Sequence, residues 1–167
     1  MIIGQSLCTQ CYEGGEPFYG HSGNLLDHVF DLLKIRKSSF LITNVVLHNP
    51  PGNRASLPEE RLSCSETYGR EVFRLQEPRL VISLGRDAYS FISRTTYSVR
   101  RCLEPKVWSK SNLADGTSTR RFVWIPEVHP AFYYRSSDER MRRDYVQRLV
   151  QKLRLGIRLV KEGRINE

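Results

Sequence analysis

Three short segments of this 167-residue chain carry side chains suited to chemistry on a flat, hydrogen-bonding ligand. The first, Gly4 to Gly23, reads GQSLCTQCYEGGEPFYGHSG. Its glycines permit positive φ and close approach of backbone to a ligand, and Pro17-Phe18 would fix an aromatic ring near a pocket floor. The second runs from Ile42 through Asn44 to Pro50-Pro51-Gly52-Asn53-Arg54. Asn44 interrupts an apolar strand. A buried amide must be hydrogen-bonded, and its adjacent donor and acceptor suit the polar edge of a pyrimidine. The stiff loop after it is placed to meet a phosphate through backbone N–H groups and Arg54. The third is His129-Pro130-Ala131-Phe132-Tyr133-Tyr134-Arg135. A histidine at a strand end can donate to a developing oxyanion. Phe132, Tyr133 and Tyr134 beside Arg135 read as an exposed wedge or stacking platform. Each segment alone has a plainer reading, as a glycine-rich loop, a strand amide or a structural histidine. Their convergence is what points to a site.

That convergence comes from the elements around them. Met1–Ile3 is an apolar stub ending at Gly4. Leu25, Leu26, Val29, Leu32 and Leu33 recur at helical spacing over residues 22–35. Phe40–Val46 is β-branched and apolar, the pattern of a buried strand. Pro58 followed by Glu59 and Glu60 starts a second helix that runs to about Gln76. Leu80–Leu84 is a third strand closed by Gly85, a helix covers Asp87 to Ile92, and Phe122–Ile125 is a fourth strand. Residues 95–121 are polar and broken and read as an irregular or hairpin insertion. The last helix spans residues 137–162, with Tyr145, Leu149, Leu153, Ile157 and Val160 as its buried stripe. Its eight basic residues and two acids between Glu139 and Lys161 are read as a solvated outer face in preference to a DNA-facing edge. Strand–helix alternation of this kind predicts an α/β fold: a three-layer α/β/α sandwich around a mostly parallel four-stranded sheet, with residues 1–167 as one domain. Ligands bind such sheets outside the carboxyl ends of the strands, where all three segments fall.

The bulk numbers agree. A 40% hydrophobic content is globular and excludes a disordered chain. The net charge of +8 favours polyanionic partners, nucleic acid first. No apolar run is long enough to span a membrane, and the first residues do not form a signal peptide, so an intracellular, cytoplasmic protein is expected. Its four cysteines, Cys8, Cys11, Cys64 and Cys102, are then expected as reduced thiols.

Taken in order, the segments resemble the uracil-DNA glycosylase superfamily, and most closely its family-four branch of bacterial and archaeal enzymes. That branch carries GEAPG followed by GxPFxGxAGxLL; here Gly4-Gln5-Ser6-Leu7-Cys8 leads to Gly15-Glu16-Pro17-Phe18-Tyr19-Gly20 and to Gly23-Asn24-Leu25-Leu26. Its TNVVKCRPPGNR matches Thr43-Asn44-Val45-Val46 and Pro50 to Arg54, its LGxxA matches Leu84, Gly85 and Ala88, and its HPAxLLR matches His129-Pro130-Ala131 and Arg135. The resemblance implies cleavage of the N-glycosidic bond of deoxyuridine in DNA, with the base extruded from the stack into a pocket. It implies that Phe18 stacks on the base, Asn44 reads its polar edge, His129 stabilises the anionic O2 of the leaving uracil, and Tyr19 crowds the 5 position against thymine. Gln5 and Ser6 would line the reacting centre. Asn53, Arg54, Phe132, Tyr133 and Arg135 would hold DNA. The expected partner is uracil-containing or single-stranded DNA, and the expected state is a monomer.

Departures from the family qualify this. Gln5 stands where the family has an acid, and Thr9 and Cys11 replace two further acids. Glutamine can orient water but cannot take up charge. The loss is expected to cost at least the roughly 10²–10⁴-fold typical of an acid–base group. Of the family's four iron–sulfur cysteines, two precede the first motif and have no counterpart here, a third falls on His48 or Asn49, and only Cys64 matches. No cluster, metal or other cofactor is therefore expected, since a cluster needs about four ligands. Zinc on Cys8, Cys11, His48 and Cys64 is the weaker alternative to ordinary thiols. The short start and missing ligands would fit a mobile or viral copy, acting in a host cytoplasm if phage-encoded. Two other functions stay open: a base-binding or protein-interaction module without turnover, and a glycosylase for another modified base.

Overall fold

In the computed structural model, which describes residues 1–111, 121–135 and 137–165, the apolar runs become one twisted sheet. Its strands are β1 (Ile2–Ser6), β2 (Ile42–Val46), β3 (Leu80–Leu84), β4 (Trp108–Ser111) and β5 (Arg121–Glu127), in the order β2-β1-β3-β5-β4. The pairs β1–β2, β1–β3 and β3–β5 are parallel, and β4 pairs antiparallel with β5. The sheet therefore has five strands, one more than expected. The extra strand lies in the insertion, where Ser109 and Lys110 break the apolar signal. A polar, lysine-bearing strand is what a sheet edge requires, and with β5 it forms the hairpin that was one of the two readings of residues 95–121. Positions 112–120 of that stretch lie outside the described residues.

Helices cover both faces. On one face, α2 (His21–Leu33) and α8 (Glu139–Lys161) pack with Ile2, Ile82, Leu84 and Ile125. On the other, Phe73 from α4 (Arg70–Gln76) and Tyr89 and Ile92 from α5 (Arg86–Ser93) pack with Ile3, Val46, Val81 and Trp124. The helix expected from Pro58 onward is α3 (Pro58–Cys64) joined to α4 through a wider π-helical turn at Ser65–Gly69. Two short helices had no clear periodicity to betray them: α1 (Thr9–Glu13) and α6 (Val99–Leu103). A five-residue helix offers less than two turns for an apolar stripe to repeat. A further short helix, α7 (Pro130–Tyr134), begins at the HPA segment. Among the described residues no helix is long and apolar enough to cross a membrane.

The strand order creates the ligand crevice. The chain runs from β1 outward to β2, then returns to the other side of β1 as β3. Connections diverge at this switch point, which opens a crevice at the carboxyl ends of β1 and β3. The Gly4–Gly23 segment leaves β1 there, Gly85 leaves β3, and His129 follows β5.

Candidate active site

Backbone choices set the floor of the crevice. Gly4 pairs with Asn44 across β1 and β2. A Cβ at Gly4 would overlap Asn44 Oδ1 and lie 2.6 Å from Phe18 Cζ. The amide and the ring therefore meet over a bare backbone, and the absence of a side chain is what lets them. Phe18 has φ +58°, a left-handed conformation costly for an aromatic residue. Two contacts hold it there: its carbonyl abuts Gly23 at the start of α2, where any Cβ would overlap it, and its ring stacks on His129 with centroids 5.8 Å apart and planes 24° from parallel. Gly4→Ala is expected to displace the Asn44 amide and the Phe18 ring together. The displacement should show as altered ring resonances of Phe18 and His129 by NMR, with the sheet retained by circular dichroism.

His129 is the N-cap of α7, and its Nδ1 accepts from Ala131 N–H at 3.2 Å. That bond assigns the imidazole proton to Nε2. Burial, reinforced by the Arg135 charge, lowers its pKa to about 4. At neutral pH the ring is an uncharged Nε2–H donor.

The cleft above this floor has a volume of about 940 Å³ and brings together Gln5, Ser6, Phe18, Tyr19, Asn44, Asn53, Arg54, His129, Phe132 and Arg135. A side arm of about 410 Å³ shares Gln5, Ser6, Arg54 and His129 and adds Ser56, Arg61, Arg86 and Asp87. Among the described residues lining either space, Asp87 is the one acid, and burial raises its pKa against the opposing charge of Arg61, 3.5 Å away. Gln5 is not free in the cleft. Its Oε1 accepts from Arg86 N–H at 2.9 Å, at the start of α5, and Gly85, with φ +90°, leaves room for it. The residue in the acid's position thus caps a helix.

Several expected DNA contacts have other work. Arg54 makes a bidentate pair with Glu60, at 2.7 and 2.8 Å, and holds that carboxyl at about 2. Asn53 Oδ1 accepts from Thr9 N–H at 3.0 Å, which ties the PPGN turn to α1. Tyr19 is half exposed at the rim, its ring laid over Gly14. Phe132 is exposed, as expected of a wedge, and Tyr134 stacks flat on His21 with centroids 4.2 Å apart. Tyr133 corrects the exposed-wedge reading. It is only 5% exposed, packs on Tyr145 at 4.5 Å and accepts a hydrogen bond from Arg148 Nη2 at 3.0 Å. On a five-residue helix one face must turn inward, and Tyr133 is on it.

Arg148 belongs to a group that the sequence reading missed. Glu127, at the end of β5, is fully buried and accepts from Arg148 Nε at 3.0 Å and Nη2 at 2.9 Å, and from Lys152 Nζ at 3.2 Å. Lys152, also fully buried, donates to Pro126 O at 2.9 Å and to Cys102 O. Burial lowers the lysine's pKa, and Glu127 opposes the fall. The cluster ties Pro126, Glu127 and Tyr133 to α8 and so brackets His129 on both sides. Its signal was present: an acid in the apolar run Phe122–Val128, read by the same rule that singled out Asn44. It also corrects the reading of α8 as carrying its basic residues on an outer face, since Arg148 and Lys152, one turn apart, point inward.

The cysteines do not assemble a metal site. Cys8 and Cys11 lie together on the cleft wall, Cys64 packs against the core behind β2, and Cys102 is buried on α6. Among the described residues no group of three or more histidine, cysteine or acidic side chains is placed to hold an ion. These thiols do not fit an iron–sulfur cluster.

The chain is thus an α/β domain with a basic cleft at the switch point of its sheet, floored by a ring, an amide and a neutral imidazole. The family model described as the uracil DNA glycosylase superfamily matches residues 1–154, and the chain belongs to that superfamily. Curated relatives named Type-4 uracil-DNA glycosylase include those of Archaeoglobus fulgidus, 37% identical over 78 residues (47% of this chain and 39% of the relative), and Pyrobaculum aerophilum, 36% identical over 85 residues (51% and 43%). That of Saccharolobus solfataricus is 34% identical over 93 residues (55% and 43%). The matched stretches thus span less than half the length of these relatives.

Proposed function

We propose that this chain is a DNA glycosylase that takes an extruded uracil into the cleft and hydrolyses its N-glycosidic bond. The observation that carries the reading is the meeting of Phe18 and Asn44 over Gly4, with His129 stacked on the Phe18 ring: a stacking surface, a pyrimidine-edge amide and a neutral donor in one cleft. As the C1′–N1 bond breaks, its electron pair passes to the base and the charge spreads to O2, where Nε2–H of His129 donates. Water adds to C1′ and loses its proton to solvent. Arg86 in the side arm, beside the Arg61–Asp87 pair, supplies a cationic surface for the flanking phosphates. Phe132 fills the gap left in the stack.

Gln5 supports slow turnover within this reading, because its amide oxygen, the atom that would accept a hydrogen bond from water, is committed to Arg86 N–H. The test is incubation with a uracil-containing oligonucleotide followed by alkali. Scission at stoichiometric protein is expected, and Gln5→Glu should accelerate it by about 10²-fold, the lower bound for an added acid–base group. No scission, with a family enzyme cutting in parallel, would leave a binding module on the same fold.

A further inference from the structure

The Cys8-x-x-Cys11 pair has no part in breaking the glycosidic bond, yet both thiols line the cleft. Their sulfurs lie 2.8 Å apart, and Cys11 N–H points at Cys8 Sγ at 3.3 Å. Cys8 is the extended residue that precedes α1, with φ −96° and ψ 169°, so its sulfur folds back over the first turn towards Cys11. A disulfide needs about 2.05 Å between sulfurs, so the pair must close by less than about 1 Å, within side-chain rotation. Cys8 is partly exposed, whereas Cys11 is only 7% exposed.

We propose that Cys8 and Cys11 form an oxidisable dithiol: a small-molecule disulfide closes them into an intrachain disulfide in the cleft wall, and closure weakens the hold on the base. The accessible thiolate of Cys8 attacks a sulfur of the small disulfide, forms a mixed disulfide and releases one thiol. Cys11 then attacks Cys8 Sγ, the mixed disulfide breaks, and a second small thiol leaves. Two protein thiols are oxidised and one small disulfide is reduced to two thiols, so atoms and electrons balance. Burial and the neighbouring Cys11 thiol keep Cys8 protonated beyond its ordinary range, so the first step accelerates as pH rises.

The coupling to the cleft runs through Tyr19. The Cys11 thiol donates to Tyr19 O at 3.7 Å, one residue beyond the constrained Phe18. Oxidation removes that S–H donor and releases the peptide beside the stacking ring. Losing this weak S–H bond should weaken base binding about twofold. This half rests on the base-binding reading; the thiol chemistry does not.

The test uses the full chain in a buffer of oxidised and reduced glutathione, with peptide mass mapping and titration of a uracil-containing oligonucleotide. Expected are a mass lower by two hydrogens, a Cys8–Cys11 cross-linked peptide, reversal by excess reduced glutathione, and weaker oligonucleotide binding by the oxidised form. Cys11→Ser should trap a glutathione adduct on Cys8, whereas Cys8→Ser should leave Cys11 unmodified. Absence of the cross-link with oligonucleotide binding intact overturns the dithiol and leaves the base-binding reading standing. A cross-link with unchanged binding overturns the coupling. Failure of both redox forms to bind the oligonucleotide removes the base-binding reading and with it the coupling, while a cross-link in that protein still upholds the dithiol.

Discussion

Replacing His129 by alanine is expected to lower the single-turnover rate of uracil excision about 10²–10³-fold, the usual cost of removing one oxyanion donor. Oligonucleotide affinity should fall by less than the rate, because the donor meets full charge only as the bond breaks, whereas the lost ring removes only its stacking on Phe18. His129→Gln, which keeps a donor at similar reach, should recover part of the loss. A rate loss below about fivefold would show that O2 is stabilised elsewhere, since one good donor contributes more. The pH dependence comes from the ring's surroundings. Its pKa is lowered to about 4, so between pH 5 and 8 the ring stays neutral and its titration leaves no inflection in the rate. A solvated histidine would leave one near 6.5. Stability carries the same signature. Above pH 6.5 neither the folded nor the unfolded ring binds a proton. As pH falls from 6.5 towards 4 the unfolded ring gains one and the folded ring resists, so stability declines across that window. In His129→Gln that part of the decline should vanish.

The second large effect is on stability. Glu127→Ala leaves Arg148 and the fully buried Lys152 without their carboxylate. Breaking a buried ion pair from one side typically costs about 3–5 kcal/mol. For a chain of this size that corresponds to roughly 6–20 °C in Tm. Urea denaturation should show the loss as a lower midpoint at unchanged slope. Replacing Glu127 and Lys152 together by methionine should cost less than Glu127→Ala, because no uncompensated lysine then remains in the core. A loss under about 1 kcal/mol in Glu127→Ala would mean that water or another group takes over the carboxylate's role.

What could be read from sequence had local causes. Asn44 in an apolar strand, the glycines around Phe18 and the proline after His129 each disturb a pattern at one place, and the parallel sheet then gathers them at one end. What could not be read depends on packing between distant elements. Tyr133 belongs to an aromatic run that looks exposed, but its fate was set by Arg148 and Tyr145 on another helix. Arg54 resembles a phosphate contact until Glu60 is seen to claim it. Gln5 looked like a weakened water-binding group, and its bond to Arg86, 81 positions away, has no local signature. β4 escaped because edge strands are polar where buried strands are apolar. Glu127, an acid at the end of an apolar strand, has the same local signature as Asn44.

The central claim is that the floor formed by Phe18, Asn44 and His129 holds uracil while its bond to the sugar breaks. It is tested most directly by measuring free uracil released, under single turnover with protein in excess, from one oligonucleotide across pH 5 to 8. The expected result is stoichiometric uracil at a rate with no inflection near pH 6.5, and no base released from matched thymine or cytosine oligonucleotides. Absence of free uracil at every pH, or equal release of thymine, would contradict it.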